Sequence, residues 1–188
     1  MRLLLRWGNN VKDNFDQSFA LVLRTEGGFQ NDPHDPGNKL PDGRMGCTNM
    51  GVTQATWEAY VGHPVTQEDI KALGSTDVAP LYKANYWDHC HCDDLPYGLD
   101  YAMYDFCVQS GPGRAIKYLQ EILGLTADGA FGPITLAAVR AADERDLTRK
   151  LCDKRLAFLR GLEIWSRYGD GLGNRISSVE RASLNMVG

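Results

Sequence analysis

An amphipathic helix that is stopped by two glycines and handed to a turn-rich loop occupies residues 14–38, and it constrains the fold more than any other stretch of the chain. Phe15, Phe19, Val22, Leu23 and Glu26 fall at i, i+4, i+7, i+8 and i+11, so they share one helical face. Asn14 and Gln17 have the spacing of a weak capping box. Glu26 then stands on the buried side where the helix closes, and Gly27-Gly28 end it. Asn31-Asp32-Pro33 and Asp35-Pro36-Gly37 are both Asx-Pro turn signals. Nowhere does the chain sustain the period-two alternation of a half-buried strand, and the only strand candidates flank Pro41-Asp42-Gly43.

The remaining signals are helical. Thr66 and Asp69 form a capping box, with Val65 and Ile70 as a hydrophobic staple. Helices are expected over about 77–87 and 99–109, the second ended by Ser110-Gly111. Pro112 and Pro133 suit first-turn positions of the next two. A charged amphipathic helix is expected over about 145–165. The fold class is therefore mainly α. The 188 residues, 43% of them apolar, suffice for one domain, or one domain with a small appendage.

Glu26 and Asp35 are nine positions apart and sit in contrasting surroundings. An apolar setting disfavours an ionised carboxylate, so Glu26 suits the role of proton donor. The dipole at the helix C-terminus works in the same direction. Asp35 lies among polar turn residues and should stay ionised. Hydrolysis of a glycosidic bond uses such a pair. The plainer readings are a surface Glu in a fraying last turn and aspartates that only make Asx-turns.

Several classes are disfavoured. No segment approaches the roughly 18 apolar residues needed to span a membrane. Met1–Arg6 carries too short an apolar run for a secretory signal, so export is expected to bypass the Sec route. Net charge is −4, split as −7 over residues 1–139 and +3 over residues 140–188. The basic end reads as a solvated helical face or as attraction to anionic wall polymers or lipid headgroups. A pI near 5.5 with no basic run argues against nucleic acid. Of the five cysteines, Cys107 reads as a buried thiol. The run His89-Cys90-His91-Cys92 lacks the second ligand pair of a zinc site, so surface-loop residues, a structural metal, or a disulfide of Cys47 with Cys90 or Cys92 all stay open. Tyr86 and Trp87 are either sugar-facing aromatics or core.

Set in order, Glu26-Gly27-Gly28-Phe29, Asn31 to Gly37, Thr48-Asn49-Met50-Gly51-Val52-Thr53, Tyr86-Trp87-Asp88, Asp94-Leu95-Pro96, Asp105 to Ala115 and Ala127 to Pro133 resemble glycoside hydrolase family 108 over about residues 15–181. The resemblance implies a lysozyme-like, mainly helical fold with at most a small β-hairpin near residues 39–52. It implies an N-acetylmuramidase of phage-endolysin or secretion-linked type, with Glu26 as catalytic acid. The Glu26–Asp35 spacing also resembles that of phage-type lysozymes, in which a threonine follows; Thr48 is the candidate here. Gln109 matches a family position usually held by a polar amide, and amides suit N-acetyl and hydroxyl recognition. Asn31 and Asp32 are further candidate substrate contacts. One departure stands out: Asn38 occupies the second glycine of the Asp-Pro-Gly-Gly run, and Lys39 to Cys47 form an extra stretch before Thr48.

Residues 115–142, with Leu119-Gln120, Asp128-Gly129-Ala130-Phe131-Gly132-Pro133 and Thr135, resemble a small helical peptidoglycan-binding repeat. Residues 1–112 are therefore expected to be the catalytic part and 113–188 a wall-binding part packed on it. Peptidoglycan is the expected partner, no cofactor is required, and a monomer is expected. A chain made in the bacterial cytoplasm without a Sec signal would reach the wall, in the periplasm or after release, through a holin or a secretion pore. Inversion at the anomeric carbon is the expected outcome, since the stretch before Thr48 leaves room for a water. The alternatives are a chitin-type hydrolase and a catalytically idle wall-binding protein, which zymograms on peptidoglycan and on chitin would separate.

Overall fold

Local capping signals account for many of the element boundaries. The structure, a computed structural model, describes residues 14–187; Met1–Arg6, on which the export expectation rests, lie outside the described residues. The chain divides into two compact units, one of residues 14–18 and 84–187 and one of residues 19–83.

Helix α1 spans Asn14–Leu23. Phe15, Phe19 and Val22 are buried, as their shared face requires. The helix ends earlier than expected: Thr25 N and Glu26 N both bond back to Val22 O (2.9 and 3.2 Å), so Glu26 is a half-buried residue just beyond the helix. The expected capping box does not form. Asn14 Nδ2 donates instead to Asp100 Oδ2 at 2.7 Å, and Gln17 Oε1 accepts from the Tyr97 hydroxyl at 3.0 Å. Tertiary partners have taken both side chains.

In the unit of residues 19–83, strands β1 (Thr48–Asn49) and β2 (Val52–Thr53) pair antiparallel, Thr48 opposite Thr53 and Asn49 opposite Val52. Met50 and Gly51 make the two-residue turn with φ of 49° and 73°. Two successive left-handed residues are what the twist of a tight hairpin demands. The strands thus lie at the far end of the expected stretch, past the Pro41-Asp42-Gly43 turn that they were expected to flank. Pro41-Asp42-Gly43 does turn the chain, with Gly43 N bonded to Leu40 O and Leu40 N to Arg44 O (both 3.0 Å), but only the single bridge Lys39–Met45 flanks it. That bridge is made by the bond from Leu40 N to Arg44 O together with the one from Gly46 N to Asn38 O at 2.7 Å.

Helices α2 (Gln54–Val61), α3 (Gln67–Ala72) and α4 (Ser75–Tyr82) follow. The Thr66–Asp69 capping box forms as expected. Helix α4 starts before residue 77 because the Asp77 carboxylate accepts from Gly74 N at 2.7 Å. It carries Pro80 and gives way at Lys83–Trp87 to a wider π-helical turn. Asn49 Nδ2 donates to Ile70 O at 2.9 Å and so ties the hairpin to the end of α3.

In the other unit, α5 (Leu99–Ser110) is buried at every residue from Leu99 to Cys107. It packs against α6 (Pro112–Ile122), α8 (Glu144–Arg160) and α9 (Trp165–Met186), with α7 (Pro133–Ala141) between α6 and α8 in the chain. The charged helix ends at Arg160, with Gly161 as its cap, and a second helix of 22 residues starts at Trp165. Its glycines hide it from propensity, yet Gly169 is needed: a Cβ there would stand 2.8 Å from the Trp165 indole. Asp105 is sealed inside these helices between Arg155 (2.6 Å) and Arg175 (2.9 Å). Burial alone would raise its pKa, but the two guanidiniums outweigh it and hold the carboxyl below the usual range.

Cysteine pairing departs from expectation. Cys90 and Cys107 form a disulfide, so Cys107 is not a thiol, while Cys47, Cys92 and Cys152 are buried and not disulfide-bonded. Cys47 Sγ sits by Gln54 Oε1 at 3.7 Å. Cys90 and Cys92 are not surface residues, although His89 and His91 beside them are exposed. Among the described residues no three His, Cys, Asp or Glu side chains converge as metal ligands, and no helix is long and apolar enough to cross a membrane.

Candidate active site

Between Gln30 and Thr48 the loop folds around two carboxamides. Gln30 and Thr48 first exchange backbone bonds, N to O, at 2.8 and 2.9 Å. The Gln30 side chain then reaches Asp35 Oδ2 through Nε2 (2.7 Å) and accepts from Asp32 N (2.9 Å) and Asn38 Nδ2 (2.8 Å) on Oε1. Asn38 is 1% exposed. Its Nδ2 also donates to Asp32 O (3.0 Å), and its Oδ1 accepts from Thr48 Oγ1 (2.8 Å). Asp35 caps the short 3-10 turn Pro36–Asn38, its Oδ1 accepting from Gly37 N at 2.8 Å. A half-exposed carboxylate and a half-exposed hydroxyl are thereby joined through two amides.

Glu26 meets the same hairpin at its turn. Gly51 lies so close that an added Cβ would stand 2.9 Å from Glu26 Oε2 and against the Tyr82 hydroxyl. Tyr82 donates to Met50 O at 2.8 Å, and its ring packs on Phe19, with centroids 5.4 Å apart. The apolar face of α1 therefore places Tyr82, Tyr82 fixes the turn, and the missing side chain of Gly51 admits Glu26. The left-handed Met50 is the strained residue in this arrangement. One six-residue hairpin carries Thr48 at its start and the Glu26 contact at its turn. The unit of residues 19–83 thus holds two carboxylates, Glu26 and a fixed Asp35, and the fixed hydroxyl of Thr48.

The other expected contacts are placed differently. Asn31 and Asp32 are exposed in the same loop, and Asp32 Oδ1 accepts from His34 N at 2.8 Å. Trp87 is 0% exposed. Its Nε1 donates to Asp93 Oδ1 (2.8 Å), and its ring packs edge-on against Phe15 and Tyr104. It is a core residue and offers no face to a sugar. Tyr86 stays half-exposed. Gln109 has its Oε1 committed to Arg155 Nε and Nη2 (2.9 and 2.5 Å), because a buried guanidinium needs acceptors, so its carbonyl is not available to a ligand. Tyr86, Trp87 and Gln109 all belong to the unit of residues 84–187. Sequence reasoning missed Gln30 and the role of Asn38. The signal for Asn38 was the departure itself, an amide where the resembling motif has glycine.

The turn Asp128-Gly129-Ala130 is also held by an amide. Gln120, buried on α6, accepts from Gly129 N (2.9 Å) and donates to Asp128 Oδ1 (2.7 Å), Ala130 O (3.0 Å) and Thr135 Oγ1 (3.3 Å). Phe131 stacks on His91 with centroids 4.9 Å apart.

Comparison with known proteins matches two family models in succession. Residues 19–111 match the family Glycosyl hydrolase 108, and residues 114–166 match the Predicted Peptidoglycan domain. No curated protein matches the chain. Twelve chains of solved structures do. One of them, the structure of Brucella abortus SagA, is 41% identical with a TM-score of 0.80, over 94% of this chain and 97% of that one.

Proposed function

The chain belongs to the glycosyl hydrolase 108 family, and from that premise we propose that this peptidoglycan-degrading glycoside hydrolase is an N-acetylmuramidase. The bond cut is the β-1,4 link between N-acetylmuramic acid and N-acetylglucosamine. The observation that carries the reading is the hairpin of residues 48–53, which holds Glu26 against Gly51 and ties Thr48 to Asp35 through Asn38 and Gln30. Glu26 gives its proton to the leaving glycosidic oxygen. Thr48 holds the attacking water, and Asp35 orients it and offsets the positive charge that develops at the anomeric carbon.

Asp35 already spends one hydrogen-bond position on each oxygen, which suits a base better than a nucleophile. Inversion follows, and NMR of the first-formed anomer checks it. A retained anomer would make Asp35 a nucleophile. Residues 1–112 are assigned the cleavage and residues 113–188 the hold on the wall. The enzyme is read as a phage endolysin or secretion-linked lysozyme that acts in the periplasm or after release, reached through a holin or secretion pore.

The decisive experiment pairs zymograms on peptidoglycan and chitin with Glu26→Gln. Glutamine keeps the shape, so the variant should melt like the parent and lose at least about 10²-fold in lysis, the scale of a general acid. Clearing of chitin but not of peptidoglycan would make the chain a chitin-type hydrolase. Undiminished lysis by folded Glu26→Gln would remove the acid from Glu26. A wild-type chain that only binds walls would be an idle wall-binding protein.

A further inference from the structure

The amide chain between Asp35 and Thr48 can be oriented in one way only. Asp32 N is a backbone donor, so the Gln30 atom it meets at 2.9 Å is the carbonyl oxygen. The Gln30 NH2 group then faces Asp35 Oδ2 at 2.7 Å. Asn38 turns one atom towards both Gln30 Oε1 (2.8 Å) and Asp32 O (3.0 Å). Both of those are acceptors, so that atom is Nδ2. Asn38 Oδ1 is left facing Thr48 Oγ1 at 2.8 Å, and because Oδ1 has no hydrogen, Thr48 donates.

A threonine hydroxyl has one hydrogen and two acceptor positions. With its hydrogen given to a side chain that is 1% exposed, Thr48 offers only acceptor positions to solvent. We propose that Asn38 is a positioning residue: it locks the Thr48 hydroxyl as an acceptor, so that a water resting there must donate to Thr48 and turn a lone pair outward. This rests on the hydrolytic reading above, in which that lone pair attacks the anomeric carbon. As the glycosidic C–O bond breaks, its oxygen takes the proton of Glu26. The water oxygen bonds to carbon, and its second hydrogen passes to Asp35. The hydrogen held by Thr48 stays on the new hydroxyl, so Thr48 exchanges no proton. A glycine at position 38, as in the resembling motif, would leave the threonine rotor free. The backbone bond from Gly46 N to Asn38 O (2.7 Å) does not need the side chain, so removing the amide spares the extra stretch.

The test compares Asn38→Gly, Thr48→Ala and the double variant on soluble glycan fragments, with melting curves alongside. Asn38→Gly should lower kcat about tenfold with little change in KM, short of the roughly 10²-fold cost of losing an acid or base. If Asn38 acts through Thr48, the double variant should be no slower than Thr48→Ala alone. A second measurement does not depend on activity. The Thr48 hydroxyl proton should exchange slowly in NMR spectra of the wild type and lose that protection in Asn38→Gly. Losses that multiply in the double variant, a folded Asn38→Gly with wild-type kcat, or a freely exchanging wild-type hydroxyl would each overturn the proposal. A protected hydroxyl in a chain that cleaves no glycan would overturn the muramidase reading and the positioning role with it, while the orientation of the hydroxyl would stand.

Discussion

The loop from Gln30 to Thr48 and the turn from Asp128 to Ala130 are both built on carboxamide side chains, and both contain an aspartate that accepts a backbone N–H two residues on. They differ in where their hydrogen bonds end. Gln120 spends its bonds on the backbone of the turn, on Asp128 and on Thr135. The Ala130 N–H, with the Gln120 amide, holds the Asp128 carboxyl below the usual carboxylate range. Gln30 and Asn38 instead pass their bonds outward to Asp35 and Thr48, which remain half-exposed. One device therefore serves two ends. Around Gln120 it is closed, with the Thr135 hydroxyl buried even though Asp128 is exposed; around Asn38 it is open, with Thr48 half-exposed. A site of this kind is recognised by what its network leaves facing solvent and not by the presence of the network.

The largest effects should come from the open end. Asp35→Asn and Thr48→Ala should each depress turnover, Asp35→Asn by at least about 10²-fold, while pull-down on insoluble walls stays near wild type. In Asp35→Asn the new amide would keep an acceptor for Gly37 N, but its NH2 would face the NH2 of Gln30, whose orientation Asp32 N fixes. That mismatch costs about 1–3 kcal/mol. Binding lost in proportion to activity would make both residues recognition groups and would erase the contrast between the two turns.

The comparison also explains what was legible in the sequence. Thr66 with Asp69, Pro112 and Pro133 act within one turn of chain, so their signals survive in any context. Glu26, Asp35 and Thr48 were singled out because each stands at a local landmark, a helix end, an Asx-Pro turn and a motif boundary. Gln30 and Asn38 were not, because the partners that matter include Thr48, ten residues beyond Asn38, and an amide has no periodicity of its own. Trp87 and Gln109 misled for the same reason. An aromatic or an amide reads alike whether it faces a ligand or the core, and only Asp93 and Arg155 decided. The helix from Trp165 was hidden by its glycines, of which Gly169 makes room for an indole. The Cys90–Cys107 disulfide joins residues on separate elements that spacing alone does not bring together.

At the closed end, Gln120→Ala should loosen the turn by about 1–3 kcal/mol, since it strands Gly129 N and removes a partner of Asp128. Retention on insoluble walls should weaken while cleavage of short soluble fragments is spared. Hydrogen exchange at Gly129 and Ala130 would report the loosening directly. Equal losses on soluble and insoluble substrates would show that this turn supports the cleaving machinery and is no separate anchor.

A third aspartate tests the rule by reversing its balance, with the smallest effect of the series. Asp100 receives three donors, Asn14 Nδ2 (2.7 Å), Gly98 N (2.7 Å) and Tyr101 N (2.6 Å), more than either Asp35 or Asp128 is shown to receive. Yet burial outweighs all three and pushes its pKa up to about 6. At Asp100 neutral donors yield to burial, whereas at Asp105 two guanidiniums overcome it. A raised pKa means the folded chain keeps a proton that the unfolded chain has released. Asp100 should therefore have no effect below about pH 4, should lower stability progressively as pH rises to 6, and should cost a constant amount above that. At pH 5 the cost is on the order of 1 kcal/mol. Asp100→Asn should flatten this part of the curve: Oδ1 still serves both backbone N–H groups, and the Asn14 amide can turn its unpaired Oδ1 towards the new NH2. Urea unfolding of both proteins from pH 4 to pH 7 measures the difference. The curves should diverge between pH 4 and 6 in favour of the variant; parallel curves would mean that Asp100 is ionised in the fold and that its three donors, not its burial, prevail.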